Sequence, residues 1–149
     1  MSRGPGRQST RPGAAKITEI RPMLAVTDLP RTIAFYCDKL GFRCMDAFGP
    51  PEAPVWCSLA RDDWAMMFNA PPRDTVVRDV PRASKDYQIY YFNTDDVVAL
   101  HAEFKARGLD VTDLRVTVYG MKEFELRDPD DYWLWFGQPT DEPPTVGEE

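Results

Sequence analysis

Two stretches of this chain share one plan, and that repetition constrains the fold more than any single motif. Met23–Phe42 reads as a short apolar strand (MLAV) followed by Thr27-Asp28, which can cap a helix, and by Pro30, which suits a first helical turn. Ile33, Phe35, Tyr36 and Leu40 then fall at helical spacing before a glycine stop at Gly41. The second copy has a strand at Gln88–Asn93, a helix start at Asp95-Asp96, apolar spacing through Val98, Leu100, His101 and Phe104, and Gly108. Thirteen residues separate Asp28 from Gly41 and Asp95 from Gly108, and the copies lie 67 residues apart. A strand followed by an amphipathic helix needs a sheet to pack on.

Further strands follow each copy. The first strand spans Ile17–Val26, with Arg21, Met23 and Ala25 on one face, and its helix runs from about Leu29 to Leu40. Next come Phe42–Phe48, the loop Gly49–Pro54, and a hairpin of Val55–Leu59 and Trp64–Asn69 turning at Arg61-Asp62-Asp63. In the second half the strands are Val116–Tyr119, Lys122–Leu126 and, after the turn Asp128–Asp131, Tyr132–Phe136. The pattern predicts an α+β fold of two βαβββ modules, about 17–69 and 87–138, joined by a linker over 70–86.

Charge separates this domain, 17–138, from its ends. Residues 1–16 carry Arg3, Arg7, Arg11 and Lys16 without an acid; residues 139–149 carry Asp141, Glu142, Glu148 and Glu149 without a base. Both ends are too poor in apolar residues to offset the entropy of ordering, which predicts a disordered basic tail and a disordered acidic one. The tails cancel, so the domain holds the whole formal charge of −6, which argues against a nucleic-acid partner. No apolar run approaches the roughly 20 residues of a membrane span. Cys37, Cys44 and Cys57, without C-x-x-C spacing, read as reduced thiols of a cytoplasmic protein.

The combination Leu24-x-Val26-x-Asp28, Ala34-Phe35-Tyr36, Leu40-Gly41-Phe42, Tyr119-Gly120-Met121-x-Glu123-Phe124 and Asp128-Pro129-Asp130 resembles the vicinal oxygen chelate superfamily over residues 17–139. That group includes glyoxalases, extradiol dioxygenases, fosfomycin-modifying transferases and bleomycin resistance proteins. The resemblance implies the glyoxalase/bleomycin resistance fold: a curved mixed sheet from two modules around a shared cavity, often completed by the partner in a homodimer. One frame hosts many chemistries, so the residues must decide between them.

Enzymes of the family usually hold a divalent metal through His, Gln and Glu side chains. The matching positions here are Arg21, Met67, Ile89 (or Gln88, one register away) and Trp135. These cannot converge as nitrogen and oxygen donors, and a guanidinium repels a metal ion. The single histidine, His101, sits on the second helix, facing the back of the sheet or solvent. The expectation is therefore no metal and no cofactor.

Strand alternation puts Trp133 with Trp135, Glu123 with Glu125, and Ile89 with Tyr91. In the family frame the cavity is then lined by these residues with Met23 and Met67, with Arg21 as a polar point and Trp56 and Tyr119 as further contacts. Glu123 and Glu125 read either as ligand contacts or as a solvated edge, or Glu123 pairs with Arg21. No catalytic residue is identifiable, because no second acid, base or nucleophile is placed with them. The expected function is metal-free binding, similar to bleomycin resistance proteins, of a cationic or aromatic small molecule such as an antibiotic, without a membrane or nucleic-acid partner. The alternatives are a glyoxalase-type lyase or dioxygenase with a metal on Gln88, Glu123 and Glu125, and a structural dimer module with a degenerate cavity.

Overall fold

The structure, a computed structural model, describes residues 15–70 and 88–145. The first module consists of β1 (Met23–Ala25), α1 (Leu29–Ala34) running into a π-helical turn (Phe35–Lys39), β2 (Arg43–Phe48), β3 (Trp56–Arg61) and β4 (Trp64–Asn69). The second has β5 (Ile89–Asn93), α2 (Val97–Ala106), β6 (Arg115–Val116), β7 (Met121–Arg127) and β8 (Trp133–Pro139). The strands form two four-stranded sheets, ordered β1-β4-β3-β2 and β5-β8-β7-β6. In each, the first strand lies parallel to the last and the other pairings are antiparallel. The two βαβββ modules are therefore present, each with its own sheet.

The helix ends follow from their residues. Asp28 accepts the N–H of Arg31 (3.1 Å) and Asp96 that of Ala99 (3.0 Å), each satisfying an orphan donor of the first turn. Gly41 and Gly108 close the helices at φ +78° and +82°, a region that strains any residue with a Cβ. The cap of the second helix is Asp96, not Asp95, so the first helix segment is one residue longer than the second. The π turn absorbs that residue: the Leu40 N–H reaches back five positions to the Phe35 carbonyl (3.3 Å).

Helix-side faces make the core. Phe124 and Phe136 stack at 5.1 Å, Phe92 stacks on Phe136 at 4.9 Å, and Phe104 of α2 meets Phe124 and Phe136 edge-on. In the first module Tyr36 packs against Phe42 and Phe68 over buried Leu24 and Leu59. Polar contacts join the modules. Lys39 Nζ donates to the Arg107 carbonyl (3.0 Å) while an Arg107 nitrogen donates to the Lys39 carbonyl (3.1 Å). Arg61 forms a two-pronged pair with Glu103 (2.9 and 3.1 Å), and the Tyr36 phenol donates to Asp128 (2.8 Å).

Several expected boundaries move. The first strand is three residues long, because its last ladder contact is the Pro22 carbonyl and the chain before it, with Ile17 and Ile20, is exposed. β6 stops at Val116, since Thr117–Gly120 folds into a turn closed by the Gly120 N–H on the Thr117 carbonyl. The acidic end is positioned as far as Thr145: Thr140 donates to the Gly120 carbonyl, Glu142 pairs with Lys122 (3.0 Å), and the Thr145 N–H donates to Val116. Residues 1–14, the linker from 71 and residues 146–149 lie outside the described residues.

Candidate functional site

Alternation along β5, β8 and β7 sends one set of side chains away from α2, and the strand register places them in rows. Ile89 lies beside Trp133, which lies beside Arg127. Tyr91 lies beside Trp135, which lies beside Glu125. Asn93 lies beside Gly137, which lies beside Glu123, and Glu123 pairs with Arg115 on β6. The face is thus two indoles and a phenol in the centre with charged residues along one side.

Its carboxylates are internal to the protein. Glu123 is 1% exposed and Glu125 3% exposed, so neither is a solvated edge. Glu123 accepts from the Tyr91 phenol (2.7 Å) and the Tyr119 phenol (2.7 Å), and one Arg115 nitrogen stands 3.4 Å from both glutamates. Arg21 does not pair with Glu123; it pairs with Glu19 at 3.1 Å. Burial, and then the hydrogen bond to Glu123, pushes the Tyr91 phenol above its ordinary pKa; the same causes raise Tyr119. Both phenols are therefore neutral donors that hold the carboxylate. That arrangement stabilises a wall and leaves no base or nucleophile poised for a substrate.

The indole faces each carry a cation. The Arg127 guanidinium lies 4.5 Å from the Trp133 ring centroid and that of Arg115 lies 5.5 Å from Trp135. Alternation already places Arg127 on the face of Glu123 and Glu125, although not as a contact of Trp133. Arg115 and Gly137 have no such sequence signal: Arg115 stands just before the expected strand, where alternation alone says nothing. Gly137 follows the last residue of the expected strand, and its importance depends on Tyr91, two residues away in register on the neighbouring strand.

The expected cavity residues divide between two sheets. Met23 pairs with Met67 and Met67 with Ser58; Trp56 pairs with Asn69 and with Phe48. Arg21, Met23, Trp56 and Met67 therefore belong to the first module, and the remaining seven to the second. One cavity of about 410 Å³ does cross the module boundary, bringing Ile20, Pro22 and Trp64 opposite Ile89, Tyr91 and Phe92. A second, about 600 Å³, joins Phe35 and Lys39 to Glu125, Arg127 and Trp133. Arg21 lines a third cavity, within the first module.

The four positions matching family metal ligands carry a guanidinium, a thioether, an aliphatic chain and an indole, so the donor set does not fit a divalent metal. Among the described residues no three His, Cys, Asp or Glu side chains cluster closely enough to hold one. The set Gln88, Glu123 and Glu125 is not assembled either: the Gln88 amide donates to the Tyr90 phenol, and the glutamates are held by Arg115. His101 lies edge-on to Phe124 (5.0 Å) with Nε2 2.9 Å from the Thr112 carbonyl, on the helix side.

Fold and face together define a protein of paired βαβββ modules with an aromatic sheet surface. The profile of the Glyoxalase/Bleomycin resistance protein/Dioxygenase superfamily matches residues 17–136, and the chain belongs to that superfamily. Similar solved structures include a bleomycin-binding protein complexed with bleomycin (22% identity, 82% of this chain and 98% of that one, TM-score 0.62). Another is the bleomycin-binding protein from bleomycin-producing Streptomyces verticillus, complexed with copper(II)-bleomycin (23%, 87% and 100%, 0.61). A third is TnmS3, an antibiotic binding protein from Streptomyces sp. CB03234 (19%, 85% and 100%, 0.59). No curated protein sequence matches the chain. Among the described residues no helix is long and apolar enough to cross a membrane.

Proposed function

We propose that this protein binds a cationic or aromatic small molecule, an antibiotic among the candidates, on the Tyr91–Trp133–Trp135 wall, without a metal and without chemistry on the ligand. The observation that carries this reading is that each indole already holds a guanidinium over its face. The indole faces therefore accept flat cations and rings, an incoming cation taking the place of a guanidinium, and burial of one large apolar ring adds on the order of 1.5–3 kcal/mol. Named binders of bleomycin and of an antibiotic among the structural relatives support the ligand class.

The reading extends to a homodimer in the cytoplasm. The contact residues of the two modules lie on separate sheets, and Met23, Met45 and Phe48 are exposed on the first. A second copy that set its first sheet opposite this wall would bring Arg21, Met23, Trp56 and Met67 to the same ligand. Thermal shift with a panel of amine-bearing aromatic compounds, repeated on Trp135→Leu, tests the reading. A stabilising hit that the variant loses supports it; a panel without any shift or tryptophan quenching overturns it.

A further inference from the structure

The third cavity, about 300 Å³ on the first sheet, has an unusual floor. Ser58 of β3 is 3% exposed, set between Asp46 and Met67 on the neighbouring strands. Its hydroxyl is buried and finds no hydrogen-bond partner among the described residues. Folded proteins keep few such groups, since a buried polar atom without a partner is costly, and each one calls for an explanation. This one lines a cavity that also holds the guanidiniums of Arg21 and Arg43.

Neither cation is strongly engaged. Arg43 donates to a neutral acceptor, the Asp62 backbone carbonyl (3.2 Å), and no carboxylate among the described residues pairs with it. Arg21 is held by Glu19 two residues away, an exposed ion pair of the kind that contributes little. The remaining acids, Asp62 and Asp63, belong to the turn at the mouth, and the Asp62 carboxylate is 87% exposed and leans towards Arg61 (3.9 Å). Beside these acids the lining offers donors: two exposed arginines and a buried hydroxyl with its proton unassigned. A group made only of acceptor oxygens suits donors of this kind, whereas an ammonium group meets two like charges.

We propose that Ser58, Arg21 and Arg43 form a subsite for a carboxylate or comparable oxyanion of a small molecule. The inference deepens the binding function proposed above and rests on this sheet facing ligand: the complete ligand then carries an acidic group as well as its aromatic, cationic part.

Calorimetry with three probes that share one ring tests it: 1-naphthylacetate, the neutral 1-naphthylacetamide and the cationic 1-naphthylmethylamine. The acid is expected to bind about tenfold more tightly than the amide, as one charge-assisted hydrogen bond would give. Ser58→Ala is expected to reduce that preference while raising the melting temperature of the free protein, because it removes the orphaned hydroxyl and leaves the two arginines. Arg43→Gln is expected to weaken the acid alone. The subsite is overturned if acid and amide bind equally, which leaves the hydroxyl to water, or if Ser58→Ala lowers the melting temperature, which marks a structural hydroxyl. Failure of the amine to bind contradicts the aromatic-wall reading and leaves the acid-against-amide comparison to decide this one.

Discussion

The Tyr91 phenol occupies the space that a side chain on Gly137 would need: a Cβ on Gly137 would stand 2.1 Å from the phenol oxygen. That vacancy lets Tyr91 cross β8 and donate to Glu123 on β7. Gly137→Ala is expected to force the ring out, strip a buried carboxylate of one donor and cost about 1–3 kcal/mol in denaturant unfolding. The Tyr91→Leu background removes the clash, so the alanine should cost far less there. Equal costs in both backgrounds would contradict the relationship.

Asp128 supplies a pH signature. It is buried at the module junction, accepting the Tyr36 phenol and the N–H groups of Asp130 and Tyr132. Burial outweighs those hydrogen bonds and pushes its carboxyl up to about 6. A folded-state pKa above the unfolded value means that the folded chain holds the proton more tightly. Its contribution is thus complete below the unfolded value and lost as pH rises through about 6, by roughly 3 kcal/mol. Urea melts of wild type and Asp128→Asn across that interval should show the decline only in wild type.

Arg127 shares Trp133 with any cationic ligand. It is about half exposed, and its one ion pair among the described residues, with Asp131, is long at 3.7 Å. Arg127→Ala should therefore tighten an amine-bearing aromatic compound by about two- to fivefold, the scale of one exposed cation–π contact. Weaker binding in the variant would show that the arginine helps to hold the ligand.

The three thiols should separate kinetically. Cys44 is exposed, whereas Cys57 is buried and its thiol is pushed up to about 12 by desolvation. A disulfide reagent under native conditions should label Cys44 first and Cys57 only after unfolding.

Much of this architecture was legible in the chain. Caps, glycine stops and alternation are local, so the helix starts, the Glu123/Glu125 face and the Phe124/Leu126 face could be read directly. The repeat misled by one residue, because Asp95 and Asp96 are equivalent as letters and only the hydrogen bond from the Ala99 N–H to the Asp96 carboxylate shows which one caps. The partners of Glu123 were not legible. Tyr91 lies 32 residues away and reaches it only because position 137 has no side chain. Ser58 carried no sequence signal, because its burial depends on Asp46 and Met67 of the two neighbouring strands.

The central claim is binding without a metal, and calorimetry on chelator-treated protein tests it most directly. Titrating 1-naphthylmethylamine should give saturable binding with quenching of tryptophan emission, undiminished by the chelator and absent in Trp135→Leu. Binding that disappears with the chelator and returns on adding a divalent metal would contradict the account.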